Sequence, residues 1–275
     1  MVNTLMLRIL AMVAATALLQ INPAAAQRSP IAVPKPIPQD LSPQVNTWQC
    51  GHFRGHYGPM DFRTADPRDR RVVEEWHFDM ELQTFLSGLL AGTNMAGTGS
   101  VVWGFAYTLK SFPNHPVALL VMEQLGRKLK SEKPQNVDIS LECWFMRAFM
   151  IAPDDPTVRA LYGIYLAHRG RTGEALLNLK VAQDSNELST GIQYQVGLTY
   201  LNLKQFDAAQ LIAMRLVRAG YPLETIQRRV REAGRWNYAL TLPPDPVDVE
   251  SSESALPAVN AASAPRQAAS AASTR

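Results

Sequence analysis

Cys50, His52 and His56 are the residues whose types and spacing most invite chemistry, because a thiolate and two imidazoles can ligate zinc or copper. Their spacing fits no established metal motif and a fourth ligand is not obvious, so surface or hydrogen-bonding histidines are the expectation and no metal is assigned. Cys50 has a second use. It and Cys143 are the two cysteines of the chain, and in an oxidising compartment such a pair predicts a disulfide. Two unpaired thiols, with Cys143 simply buried, is the alternative. Glu74 and His77 could form an acid–base couple, but three residues apart they are also an ordinary helical neighbour pair. Gly92, Gly97, Gly99 and Gly104 lack the Gly-Lys-Ser/Thr ending of a phosphate loop, and no serine sits in a nucleophile elbow. The expectation is no enzyme and no cofactor.

The ends of the chain set the context. Arg8, an apolar run over residues 9–19, Pro23 and Ala24-Ala25-Ala26 read as a signal peptide over residues 1–26, cleaved before Gln27. The run is shorter than the roughly 20 residues a spanning helix needs. Residues 27–47 hold five prolines and read as a linker, and residues 241–275 are a Pro/Ala/Ser tail with too little apolar surface to order. The expectation is an exported, periplasmic protein with one folded domain over residues 48–240 and no stable membrane insertion. A net charge of +3, from 27 basic and 24 acidic residues, gives no argument for nucleic acid. Arg228, Arg229, Arg231 and Arg235 read as the solvated face of a last helix, with an anionic partner as the alternative.

Helical punctuation organises the middle. In Pro113-Asn114-His115-Pro116 and Pro153-Asp154-Asp155-Pro156 the first proline ends one helix and the second can open the next, with Asp155 placed as an N-cap. Gly163 and Gly197 are 34 residues apart, as are Leu166 and Tyr200, Thr172 and Phe206, and Ala175 and Ala209. Each stretch carries a small residue in a first helix, a short turn and a small residue in a second. Small residues there let paired helices approach closely. The segments are 48–113 (an amino-terminal segment with a degenerate helix pair), 114–153 (a unit with about six extra residues near 131–136), 154–187, 188–221, and a capping helix within 222–240. Helix is expected over residues 71–87 and 103–111, with a Gly-rich stretch over 88–104 between them.

These residues resemble tetratricopeptide repeats (TPR), through Gly163, Ala175 and Ala182 in one unit and Gly197, Tyr200, Phe206 and Ala209 in the next. Arg159 and Gln193 stand where the family usually has tryptophan. More narrowly, Cys50-Gly51, Tyr57-Gly58-Pro59-Met60-Asp61-Phe62, Tyr107-Thr108-Leu109 and Phe112-Pro113-Asn114-His115 resemble an uncharacterised group of exported proteobacterial TPR proteins. The resemblance implies an all-α fold, antiparallel helix pairs stacked as a short right-handed solenoid. It also implies a concave groove lined by Gln124, Lys128, Ile164, His168, Tyr194, Leu198 and Asn202. The expected function is a non-enzymatic adaptor that binds a peptide or helix of another envelope protein there. Two alternatives stay open: a structural or oligomerising component of an envelope assembly using residues 88–104 and the amino-terminal segment, and a metal-binding or enzymatic protein using residues 50–56 and His77.

Overall fold

Asp66 starts the first helix: its carboxylate accepts the Arg68 N–H at 2.7 Å, and Pro67 takes a first-turn position where a missing N–H costs nothing. In the computed structural model the described residues are 50, 57–92, 99–185, 187–221 and 224–242. Their regular structure is all helical: α1 Pro67–His77, α2 Asp79–Leu90, α3 Gly99–Ser111, α4 Pro116–Leu129, α5 Leu141–Ile151, α6 Pro156–His168, α7 Thr172–Gln183, α8 Thr190–Asn202, α9 Phe206–Arg218 and α10 Glu224–Glu232. The all-α expectation holds.

The two proline punctuations do open helices. His115 Nδ1 accepts the Ala118 N–H at 3.1 Å to cap α4, and Asp155 accepts the Thr157 and Val158 N–H groups to cap α6. Ser140 and Ser189 cap α5 and α8. Gly170, at φ +73°, turns the chain between α6 and α7 in a conformation that costs glycine little. Residues 71–87 are not one helix. The chain breaks at Phe78, whose ring turns into the core, 4.7 Å from His115 and 5.7 Å from Phe105. Nor is 88–104 a single irregular stretch, because α2 runs through Leu90 and α3 starts at Gly99. Residues 130–140 connect α4 to α5.

Packing follows the small residues. α6 packs on α7 and α8 on α9, while α4, α6, α8 and α10 pack successively on one another. A Cβ at Gly163 would lie 2.7 Å from Leu179 Cγ and 3.2 Å from the Ala175 carbonyl oxygen; one at Gly197 would lie 2.5 Å from Ile226 Cδ1 and 2.9 Å from Ile212 Cγ2. Helices therefore approach closely at both glycines. One apolar core runs from Cys50 and α2 to Ile226 and Val230 of α10. Phe85, Phe105 and Trp144 are fully buried in it, and side chains of this size contribute very roughly 1.5–3 kcal/mol each.

The sulfurs of Cys50 and Cys143 lie at disulfide distance, with Cα atoms 5.0 Å apart. Arg147 clamps the same segment, its Nη2 donating to the Cys50 carbonyl at 2.8 Å. Contacts divide the chain after Tyr238. Of the second unit, residues 239–242 are described and are not helical. The expected signal peptide and linker, His52, His56 and almost all of the tail lie outside the described residues. Among the described residues no helix is long and apolar enough to cross a membrane.

Candidate functional site

The seven residues expected to line a groove do not share one environment. On α8, Tyr194, Leu198 and Asn202 recur every fourth residue and so share a helix face. Tyr194 and Leu198 rest half-buried against the core and Asn202 is exposed. Gln124 and Lys128 of α4 are also half-buried. Two residues of α6 differ. Ile164 is 3% exposed, so its side chain belongs to the core and offers nothing to a ligand. His168 is engaged too, with Nδ1 3.0 Å from Glu123 Oε1.

Glu123 explains that engagement. α4 buries its carboxylate to 2% exposure, where an unpaired charge would be costly. Arg127, one turn on, donates from Nε at 3.0 Å, and Arg169 donates from Nη1 at 2.7 Å. Burial pushes the Glu123 carboxyl up, but the His168 hydrogen bond and the Arg127 charge, with Arg169, outweigh it and hold the group below the usual glutamate range. The network continues outward. Arg169 also bonds Glu132 at 2.9 Å and lies over the Tyr165 ring, while Tyr165 donates its hydroxyl to Glu132 at 2.9 Å. Tyr162 donates to Glu142 at 2.7 Å, and Arg171 bridges Glu142 and Glu174. Burial, then the carboxylate hydrogen bond, pushes both phenols up. Each carboxylate here is held by a cation or a phenol, so the arrangement fixes α4, α5, α6 and α7 to one another.

A second polar junction lies at the helix starts. Asn114, 1% exposed, donates from Nδ2 to Asp61 Oδ1 at 2.7 Å and to Asp155 Oδ2 at 2.9 Å, and its Oδ1 accepts the Phe62 N–H at 2.8 Å. One neutral amide thus satisfies two carboxylates and a backbone donor. Arg63 adds the countercharge, reaching Asp61 at 2.7 Å and Asp154 at 2.8 Å. Burial alone would push the Asp61 carboxyl up; hydrogen bonds from Arg63 and Asn114 hold it below the usual aspartate range. Gly58, at φ +85°, lets the chain pass against the Ser111 carbonyl, which then accepts the Met60 N–H at 2.9 Å. Tyr57 donates to Asp69 at 2.5 Å, and that bond above all pushes its phenol up to about 12. A cleft of about 250 Å³ opens beside this junction, walled by Phe62, Arg70 and the first-turn prolines Pro116 and Pro156.

The remaining chemical candidates are committed elsewhere. Glu74 does not pair with His77. Its Oε1 lies 3.2 Å from His115 Nε2, and because His115 Nδ1 accepts a backbone N–H, Nε2 carries the donated proton. The His77 ring instead packs on Tyr107 at 3.9 Å and on Trp103 at 5.4 Å. Beside it Trp76 and Met80 are 74% and 75% exposed, and Trp103 is 52% exposed. Arg228, Arg229 and Arg231 are exposed on α10, as expected of a solvated face, while Arg231 also covers the Trp236 ring at 4.3 Å. Arg63 and Glu123 carry no motif spacing that singles them out. Asn114, Asp61 and Phe62 do belong to the two stretches 112–115 and 57–62 that carry the narrower resemblance, but nothing in the sequence says that those stretches meet. Compared with family models, curated proteins and solved structures, the chain matches none.

Proposed function

We propose that this chain is a non-enzymatic adaptor, built as a short TPR-like right-handed solenoid, that binds a peptide or helix of another envelope protein. The successive packing of α4, α6, α8 and α10, with α7 and α9 each paired to the helix before, supports the solenoid reading. A cysteine pair at disulfide distance is compatible with export to the periplasm. The observation that carries the binding role is the α8 stripe. Tyr194 and Leu198 form an apolar ledge on the core, and Asn202 ends it with an exposed amide. An amide beside an aromatic ledge can bond a peptide backbone while the ledge receives an apolar side chain. The repeat register adds Gln124 and Lys128 of α4 to the same face, while Ile164 lies in the core and His168 is hydrogen-bonded to Glu123.

The test is in-cell crosslinking of the tagged chain, with a Tyr194→Ala, Asn202→Ala double variant alongside. The expected result is a discrete envelope partner captured by the parent and lost in the variant at unchanged helical content. Equal capture by both proteins would remove the groove from the proposal.

A further inference from the structure

Three large apolar side chains, Trp76, Met80 and Trp103, are at least half exposed around His77. Trp103 and Tyr107 are one helical turn apart on α3. Their rings and that of His77 form a mutually packed trio with centroids 3.9 to 5.4 Å apart. Exposed apolar surface of this size marks an interaction site rather than solvent-facing structure. Flat rings with an indole N–H and a phenol O–H suit one kind of occupant especially well. A proline-rich segment presents ring faces to stack and regularly spaced carbonyls to accept, and its fixed φ lowers the ordering cost of binding.

The chain carries such a segment. Residues 34–38 read Pro-Lys-Pro-Ile-Pro, flanked by Pro30 and Pro43, upstream of Cys50. Cys50 is anchored by Cys143 and Arg147, so the segment leaves from a fixed point on the domain. From Cys50 back to Pro38 an extended chain spans at most about 40 Å. A domain of this length has a radius of gyration of about 16 Å, so that span reaches most of its surface. Charge agrees. Half-buried Glu81 lies against α3 at Gly104, next to Trp103, while residues 27–47 contain Arg28 and Lys35 against the single acid Asp40. Tethering makes contact effectively intramolecular, so even a weak pairing is well populated.

We propose that this chain's own proline-rich segment, residues 34–38, docks on the ring face of Trp103, Tyr107 and His77. The inference is independent of the α8 groove. It assigns the α1–α3 face an intramolecular occupant that a competing proline-rich, basic segment could displace.

Placing p-benzoylphenylalanine at Ile37 of the full chain, then irradiating and sequencing the joined peptides, tests it. Expected are crosslinks at monomer mass to peptides containing α1, α2 or α3. Trp103→Ala should lower their yield about tenfold or more, as loss of a central aromatic anchor does. Because Trp103→Ala also touches packed rings, Glu81→Gln, which removes the charge and keeps the shape, serves as a surface variant and should lower the yield severalfold. Crosslinks at dimer mass would assign the face to a second copy and overturn the proposal. So would crosslinks elsewhere in the chain, none at all, or a yield unchanged by the surface variant.

Discussion

Asn114 Nδ2 donates to Asp155 Oδ2 at 2.9 Å, joining two residues 41 apart in sequence. The corner before α4 is thereby tied to the corner before α6, and Asp61 joins through the same amide. An N-cap carboxylate is usually satisfied locally; here it also registers one helix pair against another.

Asn114→Ala should destabilise the fold by about 2–3 kcal/mol, because Asp61, Asp155 and the Phe62 N–H all lose a buried partner. Urea unfolding measures this directly. Asn114→Asp should be worse, since it replaces the neutral donor with a third carboxylate at the same point. A variant as stable as the parent would mean that water replaces the amide without loss.

The glycines of the helix contacts should not respond alike to alanine. Alanine intrinsically favours a helix by about 1 kcal/mol over glycine. At Gly104 the new methyl would meet the His77 carbonyl oxygen at 2.6 Å, a backbone atom that cannot swing away. At Gly197 it would meet Ile226 Cδ1 at 2.5 Å, the end of a side chain that can change rotamer. Gly104→Ala is therefore expected to destabilise by about 1–3 kcal/mol, and Gly197→Ala to cost clearly less, as read from thermal midpoints.

Reducing the Cys50–Cys143 pair should lower stability substantially, since the residues are separated by 93 positions. Loop-closure entropy for that span corresponds to about 4–5 kcal/mol, which native-state geometry commonly reduces. Non-reducing and reducing melts of the parent, with Cys143→Ser as control, give the value. Identical melts would show that Arg147 alone holds the amino-terminal segment.

Acid should weaken the fold through Glu123. Its carboxyl sits below the usual glutamate range when folded, so on acidification the unfolded chain takes up the proton first. The stabilisation is fully present above the ordinary glutamate value of about 4.3 and is lost as pH falls through the folded value. Asp61 is shifted in the same direction and adds to the effect. Urea midpoints from neutral to acid pH should fall, and Glu123→Gln should show a lower neutral midpoint with a shallower fall.

Much of the helical layout is legible in the sequence because its causes are local. Asp155 before Pro156 caps and opens α6 with residues adjacent in the chain, and the 34-residue recurrence of Gly163 and Gly197 follows from helix-pair geometry. The break at Phe78 was not legible. Residues 71–87 are locally competent for one helix, and at the break the Phe78 ring packs on Phe105 and His115, contacts that no local pattern announces.

The site was decided almost wholly by tertiary structure. Tyr194, Leu198 and Asn202 could be placed on one face from spacing alone, but the burial of Ile164 and the capture of His168 depend on which helices surround α6. Glu74 illustrates the same point, for its nearest histidine in sequence is His77 while its hydrogen-bond partner is His115 on another segment. Sequence by itself determined the residue types, the helix starts and the places where helices can approach closely, because backbone sterics and capping act over a few residues. Which groups meet across helices was decided by packing, because contacts such as Tyr162 to Glu142 and Arg147 to the Cys50 carbonyl link positions 20 and 97 residues apart, for which no local pattern exists.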